Sequence, residues 1–166
     1  MGAVDFRTTR TIRSAIEIHA PVEVVWRVLT DFASYPEWNP LIRRLHGRPK
    51  VGQRVTILSK PPGGRGLAFA PVVLAWRPPH ELRWRSTLIS RRLFSGEHGF
   101  RLEPIDDGRV RFVQDETLRG ALVPLYSRFR LPATRIGFEE MNQRLRERAE
   151  REVVSGEISA QPVTPG

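Results

Sequence analysis

The chain has 166 residues and no cysteine. That absence rules out a disulfide framework, thiolate chemistry and any Cys-ligated metal. No apolar run approaches the roughly 20 residues of a membrane span, and Met1-Gly2-Ala3-Val4-Asp5 lacks the apolar core of a secretory leader. A cytoplasmic location is the default expectation. The four histidines, His19, His46, His80 and His98, stand singly and without metal-ligand spacing, so no metal is expected. Gly63-Gly64-Arg65-Gly66 precedes a strand and lacks a Gly-Lys-Ser/Thr ending, which excludes a phosphate loop. Nothing resembles a Ser/His/Asp or Cys/His constellation, and no cofactor is expected.

Lysine is also scarce. Lys50 and Lys60 are the only two, so 25 of the 27 basic residues are arginines, spread over nearly every segment. The net charge of +9 therefore points to solubility and weak anion binding, and specific nucleic-acid binding is not expected. Arg83, Arg85 and Arg101 fall on the outer face of strands, where a solvated surface is the plain reading. With 40% hydrophobic and 27% charged residues, the composition is that of an ordinary globular protein. One domain of this size buries about two-thirds of its unfolded surface.

Residues 1–9 read as a flexible arm, 10–153 as the single domain and 154–166 as a disordered tail. Ile12, Ser14, Ile16 and Ile18 alternate with polar neighbours and predict a first strand. Pro21 suits a first helical position, and Val22, Val25, Trp26 and Leu29 share one face of a short helix. The run Phe32–Pro40 predicts a compact aromatic connection with one helical turn. Strands follow at Ile42–Leu45, Arg54–Ser59, Phe69–Arg77, Leu82–Leu88, Ser95–Glu103 and Arg109–Leu118, joined by short Pro/Gly/Asp turns. A long helix spans about Leu122 to Val153. Its apolar residues form two stripes, Leu122/Leu125/Phe129/Ile136 and Phe138/Met141/Leu145, and Pro132 and Gly137 between them predict a kink or break. The fold class is α+β: a curved antiparallel sheet of six to seven strands around one long C-terminal helix, with one or two short helices after strand 1.

Alternation places Gly96, His98, Phe100 and Leu102 on one strand face. The next strand presents Val110, Phe112, Gln114, Glu116 and Leu118. Pairing Leu102 with Phe112 sets Phe100 against Gln114 and His98 against Glu116, and a one-residue slip would turn one apolar face outward. Two titratable groups on a greasy wall describe a pocket better than a plain core.

With these elements placed, the chain resembles the START-like (Bet v 1-like, SRPBCC) superfamily, the helix-grip fold. It is most similar to its polyketide cyclase/dehydrase and lipid-transport group. The carrying residues are Ile18-His19-Ala20-Pro21 with Val25-Trp26, Leu29-Thr30-Asp31-Phe32 and Tyr35-Pro36-Glu37-Trp38-Asn39-Pro40. Further on they are Pro61-Pro62-Gly63-Gly64, Glu81-Leu82-Arg83-Trp84, Gly96-Glu97-His98 with Phe100, and Glu116 with Gly120. Related sequences often carry His-x-Glu in the last strand; here Gln114-Asp115-Glu116 stands in that place, and a second pocket imidazole is missing.

The resemblance implies a ligand cavity between sheet and long helix. The expected lining is Trp38 at the mouth, Val55, Ile57, Trp84, Ser86, His98, Phe100, Phe112, Gln114 and Glu116, under a lid formed by Leu125, Phe129 and Ile136. His98 reads as a core histidine hydrogen-bonded to Glu116 or a carbonyl, as a polar anchor for a ligand, or as a general acid or base. Carriage, sensing or sequestration of a small hydrophobic molecule, aromatic, polyketide-like or lipid-like, is the leading function. The alternatives are a cyclase/dehydratase using His98 and Glu116, and a co-chaperone or accessory module using the basic surface around Arg91 and Arg92. A weak homodimer or an accessory protein is the further partner that these readings allow.

Overall fold

The computed structural model describes residues 8–60, 65–88 and 90–160. The arm before Thr8, the Pro61-Pro62-Gly63-Gly64 turn and the tail beyond Ala160 lie outside the described residues. Strand β1 (Thr9–Ile18) leads into helix α1 (Val22–Thr30), a 3-10 turn (Phe32–Ser34) and the single-turn helix α2 (Tyr35–Trp38). Seven strands follow: β2 (Ile42–His46), β3 (Thr56–Ser59), β4 (Leu67–Phe69), β5 (Val72–Arg77), β6 (Glu81–Leu88), β7 (Phe94–Asp106) and β8 (Arg109–Arg119). Helix α3 (Val123–Ala160) closes the fold. No helix among the described residues is long and apolar enough to cross a membrane.

The eight strands form two antiparallel sheets, β1-β8-β7-β6-β5 and β2-β3-β4. This departs from the expectation of one sheet of six to seven strands. The expected strand Phe69–Arg77 is divided at Ala70-Pro71: Phe69 pairs with Ile57 of β3, whereas Val72 pairs with Arg85 of β6. Pro71 has no N–H to donate, so the ladder changes partner there. The sheets still join edge to edge. Val55 N–H donates to Pro71 O at 3.1 Å and Val73 N–H to Gln53 O at 2.8 Å, giving one bent wall.

Pro21 stands just outside α1, where its carbonyl accepts from Val24 and Val25 at 3.0 and 3.1 Å, so it caps the helix instead of starting it. Val25, Val28 and Leu29 are buried, while Trp26 tilts against Trp76 with ring centroids 5.1 Å apart. Helix α3 passes Pro132 and Gly137 without the expected break. Pro132 has no N–H to give, and the Arg128 carbonyl that loses its usual donor lies with it among exposed residues. Beyond Gly137, Phe138, Met141, Leu145 and Ala149 are fully buried against the sheet. Ion pairs of Arg27 with Glu152 (2.8 Å) and Arg148 with Glu37 (3.1 Å) flank that packing.

Candidate functional site: a cavity under the first half of the long helix

The two stripes of α3 have different tasks. The second fills the core and reaches the cavity wall only with Phe138; Leu125 and Phe129 of the first, but not Ile136, overhang a cavity of about 610 Å³ bounded by β2–β4, the β6–β8 end of the larger sheet and the helix. That volume suits a small organic ligand.

The β7–β8 register is the one alternation predicts: Leu102 faces Phe112, Phe100 faces Gln114 and His98 faces Glu116. His98 and Glu116 both belong to the cavity wall. The imidazole of His98 stacks on Trp84 (5.1 Å between centroids, 10° between planes) and meets Phe100 and Phe138 edge-on. Its Nε2 is buried with no hydrogen-bond partner. The expected His98–Glu116 hydrogen bond does not form.

Desolvation pushes the two groups in opposite directions, because burial disfavours whichever form is charged. It lowers His98 to about 3, with Asp115 opposing the shift and Arg83 adding to it. It raises Glu116 to about 7. At neutral pH the histidine is therefore neutral, and the carboxyl is the group poised to exchange a proton. Of the three sequence readings of His98, the general acid or base is the one that this leaves weakest. Among the described residues nothing donates a hydrogen bond to Glu116. A Cβ on Gly96 would come within 3.3 Å of its Oε1, so glycine at that position leaves the space the carboxyl uses.

Of the expected lining residues, Ile57, Trp84, Ser86, His98, Glu116, Leu125 and Phe129 stand in the wall. Five are placed elsewhere. Trp38 is no mouth residue: it is 8% exposed, packs edge-on against Tyr35 and donates from Nε1 to Ser34 Oγ at 3.1 Å. Val55, Phe100 and Phe112 are core residues behind the wall, with Phe100 wedged against Trp84, His98 and Phe112. Gln114 fastens the helix to the sheet, donating to Asn142 Oδ1 at 3.0 Å while Asn142 donates to Ser14 Oγ at 2.9 Å.

Sequence reading overlooked the polar face of α3. Tyr126, Arg130 and Thr134 also line the cavity, and their spacing of four residues was the available signal. Tyr126 packs on Phe94 at 5.0 Å. Burial, followed by the Glu116 charge, raises its phenol above the ordinary value against the pull of Thr134 and Arg130. On the opposite face of the sheet, Arg83 is more than a solvated arginine. It makes a bidentate pair with Asp115 (3.0 and 3.1 Å) and reaches Glu81 and Glu97. Among the described residues no group of His, Asp or Glu could hold a metal ion.

The sequence pattern of a family described as polyketide cyclase / dehydrase and lipid transport matches residues 9–154. No curated protein sequence matches the chain. Among solved structures, the Zhui aromatase/cyclase from a Streptomyces species is similar with a TM-score of 0.70 at 18% identity, over 88% of this chain and 96% of that one. A START superfamily protein from Mycobacterium smegmatis gives 0.65 at 17% identity, over 85% and 97%. The di-domain aromatase/cyclase BexL gives 0.67 at 14% identity over 86% of this chain, which spans 50% of that longer one. At these identities the likeness shows the fold.

Proposed function

Because the chain belongs to the polyketide cyclase/dehydrase and lipid transport family, we propose that it binds a small hydrophobic molecule carrying at least one oxygen function in the cavity under α3. The observation that carries this reading is the pairing of a 610 Å³, largely apolar cavity with the buried, partnerless His98 Nε2 in its wall, beside the half-buried Glu116 carboxyl. Unsatisfied buried polar atoms are costly and are usually matched by a ligand or water. Apolar burial, at roughly 25 cal/mol per Å², would supply affinity. A carbonyl or hydroxyl of the ligand would take the partnerless Nε2 and so fix orientation. The flat Trp84–His98 stack favours aromatic or polyketide-like ligands.

The test is titration with an aromatic hydroxyketone such as emodin and, separately, with a fatty acid, following tryptophan fluorescence. Saturable one-to-one binding of either, lost in Ser86→Phe, which fills the cavity, and weakened about tenfold or more in His98→Phe, is the expected result. Failure of both probes to bind stoichiometrically, or binding indifferent to Ser86→Phe, sinks the reading.

Glu116 favours a second reading, a cyclase/dehydratase in which its carboxyl moves a proton on a bound poly-β-ketone. A group near pH 7 in a water-poor wall is suited to that task, whereas His98 is too weak a base at that pH. Retained binding with abolished turnover in Glu116→Gln would support the enzyme; absence of turnover in the parent protein leaves the carrier.

A further inference from the structure

Nine large hydrophobic side chains of the described residues are exposed, and five of them line the cavity under α3: Leu67, Leu88, Leu122, Leu125 and Phe129. They come from β4, the end of β6 and the start of α3, so they surround the opening from three sides. Leu67, Leu88, Leu125 and Phe129 are each more than half exposed (57%, 56%, 62% and 66%). Water-exposed apolar side chains gathered at a cavity mouth mark an interaction face.

The chain segments that supply most of this mouth are rich in arginine, and Arg130 stands in the wall itself together with the Glu116 carboxyl. Apart from His98 and Glu116, every lining residue comes from three segments: 41–80, 82–96 and 117–138. These hold eight, four and four Lys/Arg residues, and no Asp or Glu at all. Arg77, Arg83, Arg85 and Arg119 are ion-paired with Glu81, Glu97 or Asp115. Arg65, Arg91, Arg92, Arg128, Arg130 and Arg135 make no ion pair among the described residues. The Arg91–Arg92 turn sits at the rim itself, because Ala121 N–H donates to Arg92 O and Leu122 N–H to Leu93 O, each at 3.0 Å. Arg128 lies over the Phe129 ring at 5.8 Å.

We propose that the cavity mouth docks on an anionic phospholipid bilayer, with Leu67, Leu88, Leu125 and Phe129 entering the interface and the unpaired arginines meeting lipid phosphates. Arginine presents a fork that matches a phosphate group. A ring of protruding side chains with an open centre suits a fluid apolar phase, which accommodates each chain and leaves the cavity open to it. A folded acidic protein would have to supply separate sockets. Interfacial binding combines such apolar contact with attraction to anionic headgroups. Docking of this kind rests on the ligand-binding reading only for its purpose. Its physical basis is independent, so the two can fail separately.

The experiment is flotation of the full chain with vesicles of phosphatidylcholine alone and of phosphatidylcholine with phosphatidylglycerol, without added ligand. Binding to the anionic vesicles that falls with added salt is expected. R91E/R92E should weaken it by at least about tenfold, while R13E/R111E, the same charge change on exposed arginines outside those segments, changes it by about twofold or less. L88S/F129S should release the protein at all lipid compositions. Unaltered melting temperatures verify that the variants are folded, and F129S alone serves if the double variant melts early. Three results would each overturn the proposal: no flotation on anionic vesicles, flotation indifferent to F129S, or equal loss in both arginine pairs. The first would leave the face to an acidic protein partner. Emodin or fatty-acid binding measured without vesicles reports on the cavity, so its loss or survival is read apart from docking.

Discussion

At the scale of single residues, His98 and Glu116 form a pair of opposite titrations held across one ladder rung. His98 has a folded value of about 3 against an ordinary 6.5. Between those values the unfolded chain binds more protons, so this residue's contribution to stability rises with pH, by up to about 1.4 kcal/mol per unit. Glu116 has a folded value of about 7 against an ordinary 4.5. The folded chain then binds more protons, and this contribution falls as pH rises from 4.5 to 7. The two slopes oppose each other between about pH 4.5 and 6.5. Urea unfolding of Glu116→Gln is therefore expected to show stability climbing across that window relative to the parent, and His98→Phe to show it falling. Parallel pH curves for all three proteins would contradict the desolvated pair. The rung was legible in the sequence because an even register is forced by two apolar faces. The missing hydrogen bond was not, since it depends on Trp84, Phe100 and Phe138 clasping the ring, and Phe138 lies forty residues away on another element.

At the scale of elements, α3 works as two helices joined without a break. Phe138 is 1% exposed and Phe129 is 66% exposed, although both face the space under the helix. Phe138→Ala should cost about 3–5 kcal/mol in chemical unfolding. Phe129→Ala should stay within about 0.5 kcal/mol. Equal losses would mean that the first half is packed as tightly as the second. The start of the helix is set by Gly120, whose φ of +127° is a conformation that other residues rarely adopt. A Cβ there would collide with the Leu93–Phe94 backbone, so Gly120→Ala should lower the melting temperature and displace the rim turn. The sequence displayed both stripes and the proline between them, yet the helix runs on through Pro132 without a break. Likewise, Trp38 reads as a cavity-mouth aromatic until α2 is seen turning it onto Tyr35. Local pattern defines an element, but its rotation about its own axis is decided by partners far along the chain.

At the scale of the whole molecule, the cavity lies where a bent wall changes from one sheet to the other. The five-stranded sheet is tied by long ladders, with β7 and β8 registered from Ser95 to Asp106 and from Arg119 to Arg109. The three-stranded sheet is attached mainly through the short contact between residues 52–55 and 71–73. Alternation in single strands cannot reveal that division. The acid-free segments are likewise plain in the sequence, but acquire meaning only when the fold gathers them at one mouth. Short ladders and sparse packing open more readily than long ones, so β3, β4 and the first half of α3 should exchange their amide hydrogens faster than β7 and β8. A ligand that spans the cavity bridges these parts, touching Ile57 and Phe69 on one side and Trp84 and Tyr126 on the others. A bound ligand at one hundred times its dissociation constant adds about 2.7 kcal/mol to global stability. The additional slowing beyond that global gain is expected in β3, β4 and residues 123–138, and not in β1. Hydrogen exchange measured by mass spectrometry with and without a bound probe resolves the pattern. Slowing confined to β7 and β8 would place the ligand away from the sheet junction and against this cavity as its site.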